Sequence, residues 1–170
     1  NENGSVVLNQ LYHHTQMQTS FGVIMLALVG NQPRVLNLKE LLQQFLDFRR
    51  EVVVRLTRHE LQKAKERAHI LEGLKIALDH LDEVIALIRR SASPDVAKGG
   101  LIQEFALSLA QAQAILEMRL QRLTGLEREK LLTEYREVLA EIARLTTLLG
   151  SDTLIRQTIE QELREIREKY

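Results

Sequence analysis

Cysteine does not occur anywhere in the 170-residue chain. That excludes disulfides and thiolate metal ligands, and it fits a reducing compartment. Tryptophan is also absent, proline occurs twice, and aromatic residues make up only 4%. So little proline and aromatic content argues against a sheet-rich fold. Neither sign of charge prevails, since 23 basic residues face 23 acidic ones. Bulk charge therefore points to neither nucleic acid nor membrane. No apolar run approaches the roughly 20 residues of a membrane span, and the stretch from Phe21 to Val29 is far too short. The first residues, Asn-Glu-Asn-Gly-Ser, lack the basic-then-apolar layout of a signal peptide. A cytoplasmic protein without membrane contact is the expectation.

What the chain does have is leucine, with hydrophobic residues at 45%. A Leu, Ala, Glu, Arg and Lys-rich sequence of this length favours long helices around one core. Residues 6–16 place Val7, Leu8, Leu11 and Tyr12 at helical spacing. The pattern then changes to the apolar run 21–29, the turn dipeptide Gly30-Asn31, and Val35-Leu36. This predicts a β-hairpin with strands near 21–29 and 33–36, the only sheet expected. Asn37 is a good N-cap, and Glu40 can complete a capping box. From Leu38 apolar residues recur at three- and four-residue steps through Leu41, Leu42, Phe45, Phe48, Val52 and Leu56. A helix over 38–66 would be about 43 Å long.

Shorter helices follow at 68–78, 81–88 and 108–123, with a break at Ser93-Pro94-Asp95 and a loosened turn at Gly99-Gly100. Leu131, Tyr135, Val138, Ile142, Leu145 and Leu149 form a heptad seam. Gly150-Ser151-Asp152 interrupts it before the apolar positions resume at Ile155, Ile159, Leu163, Ile166 and Tyr170. Each of the two long helices carries a narrow apolar stripe it cannot bury alone. The short helices between them form a knob where the chain can reverse. The expected fold is mainly α: a long antiparallel two-helix coiled coil with a small helical globular knob, plus one short β-hairpin near the N-terminus. An ordinary helical bundle is the alternative.

Catalytic chemistry is hard to find. The five histidines, His13, His14, His59, His69 and His80, show no ligand spacing. There is no phosphate-binding glycine loop and no nucleophile elbow. One charge bias is present: residues 49–67 hold seven basic and three acidic residues. It reads as a solvated arm with extended stems, or as sequence-blind contact with a phosphate backbone through Arg49, Arg50, Arg55 and Arg58. By its residues alone the chain is a dimerisation or spacer module rather than an enzyme.

Three stretches carry a specific resemblance: VVLNQLYHHTQMQTSFGVIMLALVGNQPRVLNLKELL (6–42), FRREVVVRLTRHELQKAKERAHILEGL (48–74) and QAQAILEMRLQRLTGLEREKL (111–131). They resemble the A subunit of bacterial DNA gyrase, a type IIA topoisomerase. The A subunit of topoisomerase IV is similar over the same region, but RVLNLKE (34–40) and LTGLEREK (123–130) look more like gyrase. The resemblance covers all but a few N-terminal residues and implies a piece of a longer polypeptide. The family's catalytic tyrosine follows Arg and precedes Thr. Tyr12, Tyr135 and Tyr170 follow Leu11, Glu134 and Lys169 instead, so the expectation is a non-catalytic segment of a DNA topoisomerase.

The resemblance also implies an organisation: residues 1–36 as the edge of the tower domain, 37–67 as the first coiled-coil arm, 68–125 as a dimerisation subdomain, and 126–170 as the second arm. Two such knobs would pack as the exit gate for transported DNA. The expected dimer contacts are Leu81, Val84, Ile85, Ile88, Ile115, Met118 and Leu120. The expected hinges are Gly73, Pro94, Gly125 and Gly150. Expected partners are a second copy, the gyrase B subunit, and double-stranded DNA in passing. The segment itself would hold no cofactor, ATP and Mg2+ acting through the B subunit. A generic dimeric scaffold and a self-sufficient DNA-binding helical protein remain as alternatives.

Overall fold

In a computed structural model the described residues are 3–118 and 125–170. Among them the chain forms seven helices and one two-stranded sheet. It divides into two units after Phe48.

The first unit opens with α1 (Gly4–His14). The hairpin follows, with β1 (Met25–Val29) and β2 (Gln32–Leu36) paired antiparallel from Met25↔Leu36 to Val29↔Gln32. That register leaves a two-residue turn. Gly30 and Asn31 both have positive φ, 56° and 63°, the mirror-image turn whose twist suits paired strands. β1 starts later than the apolar run suggests, and Pro33 is tolerated in β2 of a sheet with only two strands. Leu26, Leu28 and Val35 remain exposed. Leu36 is the buried end of the hairpin. The helix α2 (Leu38–Asp79) follows directly after Asn37. The capping box is closed: Glu40 N–H donates to Asn37 Oδ1 at 2.9 Å, and Asn37 N–H donates to Glu40 Oε2 at 3.0 Å.

α2 differs from expectation in length. It passes through Gly73 without a break and absorbs the separate helix expected at 68–78. A glycine inside a helix costs about 1 kcal/mol. The burial of Leu71, Leu74, Ala77 and Leu78 around it outweighs that penalty, since each large buried side chain contributes about 1.5–3 kcal/mol.

The rest of the second unit is α3 (Leu81–Arg90), α4 (Pro94–Phe105), α5 (Leu109–Leu116), α6 (Gly125–Leu149) and α7 (Asp152–Lys169). Most breaks have a local cause. Ser93 Oγ accepts from Val96 N–H, with Pro94 at the first helical position. Ala106, at φ 52°, ends α4 in the left-handed region, and Ser108 caps α5 two residues later. Ser151 Oγ accepts from Leu154 N–H and starts α7 after Gly150. The expected helix over 108–123 is described only as far as Leu116, and 119–124 lie outside the described residues.

The core of the knob joins five helices through Leu71, Leu74, Ala77, Val84, Leu87, Ala97, Leu101, Ala112, Ile115 and Leu131. A second, smaller cluster joins the arms, with Val53 of α2 against Ile155 and Ile159 of α7. Ion pairs fix the direction: Arg49 meets Glu162 and Arg67 meets Glu134. As α2 rises in number its partners fall, so the arms run antiparallel. The fold class expected from the sequence is the one observed.

Candidate functional site

The knob's surface is the first candidate. On α3 the residues divide between two stripes. Val84 and Leu87 point inward, whereas Leu81, Ile85 and Ile88 are half-buried. Ile88 and Met118 pack against the knob's own core, and Leu81 and Ile85 do not belong to it. Two of the expected contacts lie deep in the single chain. Val84 and Ile115 are each only 3% exposed in the single chain, so their side chains have no surface left for a partner. Periodicity identified the apolar residues but not which of them the neighbouring helices cover. Leu120 lies outside the described residues.

Two further apolar residues on the knob are exposed where periodicity gave no sign of it. Val96, in the first turn of α4, is 57% exposed, and Leu109, opening α5, is 64% exposed. In each case the position one turn earlier lies outside the same helix. No apolar stripe runs through either residue from the N-terminal side, and that isolation was the available signal.

The basic face of α2 is the second candidate. Arg49 donates to Glu162 at 2.7 Å, and Arg50 pairs with Asp152. Arg55 lies 3.5 Å from Glu51, one turn away on the same helix. Further along, Arg67 meets Glu134, and Arg128 of α6 donates to Asp79 at 2.7 Å. Arg49, Arg50 and Arg67 thus bind the opposing arm, which reduces the charge that residues 49–67 can offer to a phosphate backbone. Arg58, Lys63 and Lys65 are exposed.

The same kind of pair perturbs a few titrations. The Arg50 guanidinium hydrogen-bonds Asp152 and holds its carboxyl below the usual range. Arg144 does the same to Glu141 on α6, with hydrogen bonds of 2.6 and 2.8 Å, and its own pKa rises in return. These are solvated pairs on helix surfaces. Among the described residues no His, Cys, Asp or Glu cluster is placed to hold a metal ion, and no helix is long and apolar enough to cross a membrane.

The expected hinges occupy different settings. Gly150 sits between α6 and α7, and Pro94 begins α4. Gly125 is the first residue of α6. Gly73 lies within unbroken α2 and is buried. Tyr135 is half-buried with the Lys75 ammonium 5.9 Å from its ring centre, and Tyr170 is exposed at the end of α7.

Residues 1–164 match the family model described as the DNA gyrase/topoisomerase IV A subunit. The chain is 55% identical over 168 residues to the DNA gyrase A subunit of Clostridium acetobutylicum, covering 99% of this chain and 20% of that protein. It is 55% identical, with the same coverage, to the protein of that name from Halalkalibacterium halodurans. Against the DNA gyrase A subunit of Staphylococcus aureus the identity is 54%, covering 99% of this chain and 19% of that one. The chain thus spans about a fifth of the length of these relatives.

Proposed function

The chain belongs to the family of DNA gyrase and topoisomerase IV A subunits, and from that membership we propose that it forms the dimerisation and DNA exit gate of a gyrase A subunit. In this reading two knobs meet about a two-fold axis, the same patch on each copy. The paired arms carry the knobs as levers, and parting them releases the transported duplex during ATP-dependent negative supercoiling. The three relatives compared above, each matching 99% of the chain, are named as gyrase subunits, which favours gyrase over topoisomerase IV. ATP and Mg2+ would act through the B subunit of an A2B2 enzyme. The strand-cleaving tyrosine would come from another part of the polypeptide, since none of the three tyrosines here has the family's neighbours.

The observation that carries the reading is the knob's incomplete coverage. Leu81, Ile85, Val96 and Leu109 stay at least partly exposed beside a closed core. Apolar side chains left exposed beside a closed core are candidates for an interface. Arg55, Arg58, Lys63 and Lys65 are exposed cations on α2 that, among the described residues, form no ion pair with the opposing arm and would face DNA, by weak and sequence-blind contact.

Sedimentation of the 170-residue chain at micromolar concentration tests this. A dimer is expected, and Ile85→Asp should return it to monomer while its helical circular dichroism is kept. A strictly monomeric wild-type chain would overturn the claim that the knob suffices for dimerisation.

A further inference from the structure

Gln111 is one of two buried polar residues among those described, at 5% exposure. Its amide has two tasks. Oε1 accepts from Ser108 N–H at 2.9 Å, closing the capping box that starts α5. Nε2 donates to the backbone carbonyl of His69 at 2.8 Å, on α2 and 42 residues away. The two bonds fix which end of the amide is oxygen. Nε2 also lies 3.4 Å from His69 Nδ1, and His69 Nε2 lies 2.7 Å from Ser108 Oγ. The side chain that caps one helix is therefore bonded to the flank of another.

Gly73 makes room for it. A Cβ at Gly73 would fall 2.6 Å from Gln111 Cβ and Cγ and 3.0 Å from Cδ, closer than carbon atoms approach. Gly73 is one turn beyond His69, so the missing side chain leaves a notch beside the carbonyl that Gln111 reaches. Only glycine permits both the helix and the insertion at this point. A buried amide is costly unless its hydrogen bonds are all made, and here the geometry that makes them also fixes the angle between the two helices.

We propose that Gln111, seated in the Gly73 notch, is a latch that locks α5 to the long helix α2, so that the two move as one body. Gly73 is then a fixed joint rather than a hinge. The joins at 91–93 between α3 and α4 and at 150–151 between α6 and α7 lie outside the latched pair. The latch follows from the packing of α2 and α5 alone and goes beyond the gate reading, which can fail without affecting it.

The test separates capping from latching. Gln111→Glu keeps an oxygen for Ser108 N–H but replaces the donor to the His69 carbonyl with an acceptor. Hydrogen exchange of the 170-residue chain should show residues 109–116 exchanging at least tenfold faster in this variant, with α6 and α7 unchanged. Nitroxides on cysteines placed at Lys65 and Glu117, in an otherwise cysteine-free chain, should give one narrow distance distribution in the wild type and a broad one in the variant. Gly73→Ala, which expels the same side chain from the opposite helix, should reproduce both changes. If Gln111→Glu does not fold, Gln111→Met, which loses both bonds, is compared with Ser108→Ala, which loses the Ser108 Oγ cap of α5 but keeps the Gln111 bond to the His69 carbonyl. The latch requires the larger rise in α5 exchange for Gln111→Met. Unchanged exchange in α5, or an equal rise in every helix, overturns the latch.

Discussion

Neighbouring residues of one type can stand in opposite environments, and α4 contains such a pair. A Cβ at Gly99 would meet nothing within 4 Å, whereas one at Gly100 would lie 3.1 Å from Leu87 Cδ2. Leu87 is buried and has little room to shift. Replacing helical glycine by alanine gains about 0.5–1 kcal/mol where space allows. Gly99→Ala should therefore stabilise the chain in urea by that amount, and Gly100→Ala should gain less or lose stability. Equal midpoints for the two variants would refute the difference. At this scale the sequence is least legible. It displays Gly73 and Gly100 as flexible points, but the side chains that fill their notches, Gln111 and Leu87, come from other helices. Val84 and Ile85 are just as ambiguous: both are apolar, and only the packed neighbours decide that one is core and the other surface.

Single elements were legible where the signal is local. Asn37 was readable as a cap, and Ser93 and Ser108 cap in the same way, because a short polar side chain before an apolar repeat satisfies the first free N–H groups. The hairpin was readable because Gly-Asn tolerates positive φ. The end of α2 at Asp79 falls where one helix was expected to close at 78 and the next to open at 81. The unbroken run of α2 through 67 was not legible, because nothing local distinguishes a long helix from two abutting ones. The start of α7 joins both kinds of information. Ser151 caps it locally, and Asp152 in its first turn meets Arg50 of α2. Because Arg50 lowers the Asp152 pKa in the folded chain, the associated stability is present above the unfolded value. It is lost as pH falls through the folded one. Glu141, lowered by Arg144, adds a slope of the same sign. The melting temperature should thus decline between about pH 5 and pH 3, and Asp152→Asn should flatten part of that decline. A slope identical in wild type and variant would show that the pair does not report on folding.

Across the second unit the arms are joined in two ways, and their weights can be compared. Ion pairs such as Arg49–Glu162 are about one-third exposed on both sides, and pairs of that kind contribute about 0–1 kcal/mol. The apolar contact of Val53 with Ile155 and Ile159 is almost fully buried. Truncating such a residue to alanine costs about 2–5 kcal/mol. The charges then favour this direction and register, and the apolar cluster holds the arms closed. A net charge of zero is consistent with this, because much of the basic bias of α2 is answered within the chain. Ile155→Ala should therefore lower stability in urea by about 2–5 kcal/mol, and Arg49→Ala by about 1 kcal/mol or less. Salt near 1 M, where screening acts within about 3 Å, should leave Ile155→Ala as costly as before and erase most of the Arg49→Ala effect. If salt instead abolished the cost of Ile155→Ala, the arms would be held by charge, and the seam read from the heptad would be secondary.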